Sequence, residues 1–160
     1  MGSTSDLPVM EKACKVLDEM QVPFEVNALS AHRTPEAVED FAKSAQQRGL
    51  KVIIAGAGMA AALPGVIAAS TTLPVIGVPI KGFMDGLDAM LSIIQMPPGI
   101  PVATVGVNGS QNAAILAVEM LALSDEALAQ RLSDYKRGLK TKIEKANKDL
   151  ADVHYEYKTN

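Results

Sequence analysis

Aromatic residues are scarce in this 160-residue chain, at 4%, and Trp is absent. The core must therefore be aliphatic and alanine-rich. A single cysteine, Cys14, excludes an intramolecular disulfide and fits a reducing cytoplasm. Two histidines with no ligand-spaced cluster argue against a metal centre, and none is expected. No apolar run reaches the length of a membrane span, and no basic stretch leading into an apolar one opens the chain. The formal charge of −3 gives no reason to expect nucleic acid. Neither a Walker A lysine motif nor a G-x-G-x-x-G after a strand is present.

What is present alternates between strand and helix signals. Residues 8–20 read as an amphipathic helix with Ser5 or Asp6 as N-cap and Pro8 in its first turn. FEVNA (24–28) has the composition of a short strand. Thr34 is expected to cap the helix PEAVEDFAKSAQQR, with Gly49 beyond its end. KVIIAGAG, LPVIGVP and PVATVGV read as buried parallel strands. LPGVIAAS, GLDAMLSIIQM and QNAAILAVEMLAL read as the helices between and after them. Ser124 is expected to cap a long polar helix. The whole, 1–160, reads as one α/β domain with a parallel sheet covered on both faces: core 1–123, C-terminal helix 124–150, tail 151–160.

Ligands in such sheets bind where strands end and helices begin, which nominates three loops. GSTSD places Gly2, three hydroxyls including Ser3 and Ser5, and the Asp6 carboxylate at a helix N-terminus. Exposed amides there suit a phosphate and Asp6 suits ribose hydroxyls, so a phosphoribose satisfies both; the plainer reading is a helix cap. SAHRTP joins Ser30, His32 and Arg33. The guanidinium is a bidentate phosphate fork, and the imidazole titrates near neutrality. GAGMAAALPG offers small residues that let backbone amides approach a ligand, or that simply pack helix on sheet. Cys14 reads as a buried small hydrophobe, His154 as solvated, and Met59, Met84, Met90, Met96 and Met120 as core or interface filler. The basic residues between Lys136 and Lys148 alternate with acids and read as a solvated face.

MGSTSD, SAHRTP, VIIAGAGMAAALPGVIAA, LPVIGVP and SIIQMPPGIPVATVGV, in this order, resemble the 5-(carboxyamino)imidazole ribonucleotide mutases of purine biosynthesis. The resemblance runs from Met1 to about Leu123. It implies a flavodoxin-like three-layer α/β/α sandwich, a homo-octamer with sites at subunit contacts, and no cofactor. It also implies the reaction: a carboxylate moves from the exocyclic nitrogen to ring carbon 4, giving 4-carboxy-5-aminoimidazole ribonucleotide. By this resemblance His32 carries the proton. Ser3, Asp6 and Arg33 bind phosphoribose with Ser5 and Ser30 alongside, and the third loop contributes Ala57, Gly58, Ala62 and Leu63. KGFMDG (81–86) is the candidate covering segment. Rival readings are a carboxylase using free carbon dioxide and a non-catalytic phosphoribosyl-binding module.

Two departures stand out. Many members carry Ala-Ala-His-Leu-Pro-Gly where this chain has Ala62 in the histidine position. Members also have an apolar strand ahead of the MGS loop, whereas these 160 residues open at the loop. The expectation is a strand before residue 1 that the sequence does not supply, and a lower melting temperature than a version carrying it.

Overall fold

The computed structural model describes all 160 residues. Three strands, β1 (Ile53–Gly58), β2 (Val75–Ile80) and β3 (Ala103–Thr104), form a parallel sheet in the order β1-β2-β3. β1 and β2 pair in register from Ile53 opposite Val75 to Gly58 opposite Ile80. Both are largely buried apolar runs, as a strand covered on both faces requires.

The alternation of side chains along these strands divides the core into two layers. Ile53, Ala55 and Ala57 face a cluster formed with Val38 and Ala42 of α2 (Pro35–Ala45), Leu63 and Ile67 of α3 (Leu63–Ala69), and Ile93 of α4 (Leu87–Ile94). Ile76, Val78 and Ile80 face the other way, onto Met10 of α1 (Leu7–Glu19) and Ala113 and Ala117 of α5 (Ser110–Ala122). A long helix, α6 (Glu126–Ala151), packs outside α5 and α1 through Leu128, Leu132 and Tyr135. The result is the expected three-layer flavodoxin-like sandwich with a C-terminal helix. Aliphatic side chains fill both halves, and the layers approach closely where glycine allows it. A Cβ on Gly77 would collide with the Cγ2 of Ile93 and lie 3.1 Å from Val102.

Four local expectations are corrected. FEVNA forms no strand: residues 22–30 carry no regular structure, because the edge of that segment facing the sheet has no strand beside it. Asp6 stands at the N-cap of α1 as expected, but its side chain bonds none of that helix's amides; Ser3 caps the preceding 3-10 turn over Thr4–Asp6 that runs into α1. Thr34 stands at the N-cap of α2 but bonds none of its amides; its hydroxyl accepts from the Ser30 N–H at 3.0 Å and donates to the Ser30 carbonyl. Asp125, rather than Ser124, caps α6, accepting from the Leu128 N–H at 2.9 Å. A carboxylate is the stronger acceptor for a helix amide, and the Ser124 hydroxyl turns back to the Leu121 carbonyl instead. No helix is long and apolar enough to cross a membrane.

Candidate functional site

Three loops meet at the carboxyl end of β1, held by one backbone bond and one guanidinium. The Gly2 N–H donates to the Gly56 carbonyl at 3.2 Å, fixing the first loop to β1. Arg33 Nη2 then donates to the Gly2 carbonyl at 2.8 Å, fixing the second loop to the first across 31 residues of sequence. The third loop is the direct continuation of β1 beyond Gly58.

In the first loop the capping role is real. The Ser5 N–H donates to Ser3 Oγ at 3.3 Å, and the Ser3 N–H donates to Asp6 Oδ2 at 3.2 Å, a reciprocal capping box. These two bonds fold the loop tightly and hold Asp6 half-buried beneath it. Ser5 and Thr4 remain exposed. Capping and ligand binding are thus not rivals here, because the cap rigidifies the loop while its outer hydroxyls stay free to bond.

The second loop is built around Ser30. Its Oγ accepts from the Arg33 N–H at 3.3 Å and from Arg33 Nε at 3.1 Å, so the guanidinium is aimed by Ser30 and Gly2 together. Arg33 is nonetheless exposed, leaving the rest of its fork open to solvent. His32, its neighbour, is exposed on the same turn and forms no hydrogen bond to the protein. Its ring nitrogens are therefore open to a ligand.

The third loop corrects the sequence reading. Met59 takes φ of 56°, an unusual conformation for a long side chain, and the chain doubles back on itself. The Ala61 N–H then donates to the Met59 carbonyl at 2.9 Å and the Ala62 N–H to the Ala60 carbonyl at 2.7 Å. Those two amides are spent locally and do not face a ligand. Ala57 and Leu63 point into the core, so only their main chains can contribute, whereas Gly58 and Ala62 are half-buried. Met59 is 57% exposed and Met84 69%, so neither is core filler.

Met59, not singled out as a site residue, lies against Gly82 of the KGFMDG segment. Met84, Asp85 and Gly86 are three consecutive left-handed residues there, and Phe83 projects into solvent at 71% exposure. Asn108 anchors the segment, accepting from the Lys81 N–H at 2.9 Å through its side chain. The Asn-Gly pair at 108–109 was the available signal, since such pairs favour left-handed turns. Lys81 also pairs with Asp85 at 2.8 Å; that contact raises the Lys81 pKa and lowers that of Asp85. No group of three or more His, Cys, Asp or Glu side chains could hold a metal.

A cavity of about 680 Å³ lies elsewhere. It lies alongside β1, is lined mainly by apolar side chains, and includes neither His32 nor Arg33.

Comparison with known proteins agrees with the loops. The family model described as AIR carboxylase matches residues 1–142. N5-carboxyaminoimidazole ribonucleotide mutase of Pyrococcus abyssi is 56% identical over 88% of this chain and 81% of its own length. The mutase of Methanocaldococcus jannaschii is 52% identical over 96% of both. The phosphoribosylaminoimidazole carboxylase of Saccharomyces cerevisiae is 57% identical over 84% of this chain but only 24% of its own. A crystal structure of Treponema denticola PurE superposes with a TM-score of 0.80 at 28% identity, covering 94% of each chain. Matching sequence, matching fold and the three-loop cluster lead to one conclusion: the chain belongs to the AIR carboxylase family.

Proposed function

We propose that this chain is an N5-carboxyaminoimidazole ribonucleotide mutase, an isomerase of purine biosynthesis. One observation carries the assignment to the site: Arg33, aimed by Ser30 and Gly2, joins the hydroxyl-rich loop to the only histidine near it. The whole-length similarity to the Methanocaldococcus jannaschii mutase supports the reaction, because chain and relative are covered alike.

Arg33, Ser3 and Asp6 hold the phosphoribose, with Ser5 and Ser30 beside them, and Ala57, Gly58, Ala62 and Leu63 form the wall near the imidazole. The substrate's N-carboxylate is a carbamate. Its nitrogen–carbon bond breaks to release carbon dioxide, leaving the electron pair on nitrogen, which takes a proton. Ring carbon 4, enamine-like, forms a bond to the retained carbon dioxide and then gives up its own proton. His32 serves both transfers in turn, so no net proton is consumed. General acid–base catalysis of this kind supplies about 10²–10⁴-fold, and confinement of the two fragments supplies much of the rest. The KGFMDG segment covers the site.

The same reading takes the protein to be a cytoplasmic homo-octamer. Leu87, Leu91 and Ile94 on α4, each more than two-fifths exposed, support a subunit contact. The lone Cys14 supports a reducing compartment.

The test is a paired turnover assay. One arm offers freshly made carboxyamino substrate without bicarbonate, the other aminoimidazole ribonucleotide with it, both followed by ultraviolet absorbance of the 4-carboxy product. Rapid conversion in the first arm alone is expected. Efficient use of the second at modest bicarbonate would make the protein a direct carboxylase, and silence in both with ligand still bound would make it a binding module.

A further inference from the structure

The last rung between β2 and the chain beyond β3 is closed by a side chain. The Val105 N–H donates to the Gly77 carbonyl at 3.2 Å, which sets Val105 opposite Val78 in the parallel ladder. The next rung comes at Asn108, whose N–H donates to the Pro79 carbonyl at 2.8 Å. A strand residue in that place would accept the Lys81 N–H on its own carbonyl. Here Asn108 accepts it on the side-chain Oδ1 instead, at 2.9 Å. From Val105 to Asn108 the chain takes one step more than from Val78 to Ile80. A turn closed by the Gly109 N–H on the Gly106 carbonyl, at 2.9 Å, absorbs the extra residue. Asn108 lies inside that turn with φ of 58°, a conformation asparagine tolerates better than most residues.

That rung stands at the threshold of the site. Ile80 pairs on its other side with Gly58, the last residue of β1 before the third loop. Lys81 opens the KGFMDG segment and is its one residue held by the rung, while Gly82, next along, lies against Met59. The far foot of the segment returns to the same place. A Cβ on Gly86 would lie 2.6 Å from Val107 Cγ1 and 3.3 Å from the Lys81 Cα. Between its feet the segment is bonded to itself, by the Gly86 N–H on the Phe83 carbonyl at 3.0 Å and by Lys81 on Asp85 at 2.8 Å. Asn108 is the side-chain anchor that joins this closed loop to the sheet.

We propose that Asn108 is a positioning residue for the carboxylate transfer. Its side-chain oxygen seats the KGFMDG segment over the third loop, so that carbon dioxide released from nitrogen stays until ring carbon 4 takes it. The inference rests on the mutase reading above. Asn108 acts through Lys81, not on the reacting atoms, and what it governs is partition. Once the nitrogen–carbon bond has broken and nitrogen has its proton, retained carbon dioxide forms the bond to ring carbon 4. Carbon dioxide that escapes is hydrated to bicarbonate and leaves aminoimidazole ribonucleotide behind. A loosened cover therefore uncouples the reaction, since closure is what prevents loss of a reactive fragment.

The test gives carboxyamino substrate with an isotope-labelled carboxylate to the full chain in unlabelled bicarbonate. Label in the 4-carboxy product is compared with label released, and an enzyme-free sample corrects for spontaneous loss. Asn108→Gly removes the acceptor while suiting the left-handed backbone; Asn108→Asp keeps an oxygen for the Lys81 N–H. Asn108→Gly is expected to release at least about threefold more label per product formed than the unsubstituted protein, and to speed amide exchange at Lys81 more than about tenfold. Asn108→Asp is expected to retain label as the unsubstituted protein does. The partition is read per turnover, so a smaller folded fraction does not mimic it, and a merely structural role would leave it unmoved. Full retention by Asn108→Gly, or leakage by Asn108→Asp equal to that of Asn108→Gly, would overturn the role of Asn108 alone. No label transfer by the unsubstituted protein would overturn the mutase reading, and this proposal with it.

Discussion

Arg33 Nη2 donates to the carbonyl of Gly2 at 2.8 Å, tying a basic loop to a hydroxyl loop that the sequence separates by 31 residues. The Nε of the same guanidinium is held by Ser30 Oγ at 3.1 Å. One side chain therefore both shapes the site and presents charge to it. An ammonium cannot span both acceptors, because its donors radiate from one nitrogen. Arg33→Lys is expected to raise KM at least about tenfold, the scale of a lost charged hydrogen bond, with kcat changed less than about threefold. Steady-state kinetics with saturating substrate checks this; an unchanged KM would remove Arg33 from phosphate binding.

His32 is exposed, on the same turn as Arg33, and unencumbered by protein hydrogen bonds. Substituting asparagine keeps the size and polarity but removes the titrating nitrogen. His32→Asn is expected to lower kcat by about 10²–10⁴-fold while substrate affinity, read by calorimetry with a non-reacting phosphoribosyl ligand, stays within about threefold. Normal turnover would exclude the proton role. Loss of affinity without slower chemistry would reassign His32 to binding.

Cys14 is half-buried on α1, and burial pushes its thiol above the ordinary value of 9.0. The folded state then favours the neutral thiol. Its contribution to stability is complete below that ordinary value and declines as pH rises above it. Alkylation by iodoacetamide at pH 8 is expected to run at least about threefold slower than for a free cysteine peptide, since the thiolate is the nucleophile. Faster alkylation would mark Cys14 as an activated thiol and reopen its role.

The fold and the site were legible in the sequence to different degrees. β1 and β2 are unbroken apolar runs, and burial on both faces leaves such a run no other stable place. The three loops were legible because glycine, hydroxyl, imidazole and guanidinium cluster just ahead of the helices α1, α2 and α3. Their joining through Arg33 and Gly2 was not, since no local pattern encodes a contact between distant turns. Nor was the fate of the Ala61 and Ala62 amides, which follows from a left-handed Met59 that residue type disfavours. FEVNA has strand composition but lacks a neighbour on one side; a strand is a pairing, not a propensity.

The start of α6 separates two cap assignments that composition makes equally natural. Ser124 and Asp125 are both good cap residues, and they are adjacent. Only Asp125 has extended backbone with its carboxylate on the Leu128 N–H at 2.9 Å. Leu128 is the one residue of α6 fully buried, so its amide has little access to water when the cap is lost. Asp125→Ala is expected to cost about 1 kcal/mol and to lower the melting temperature by about 2–4 °C. Ser124→Ala, which loses only a 3.5 Å contact to the Leu121 carbonyl, is expected to stay within about 0.5 kcal/mol. Denaturant melts of both variants decide between them. The reverse order of effects would place the cap at Ser124, and with it shift the first turn of the helix by one residue.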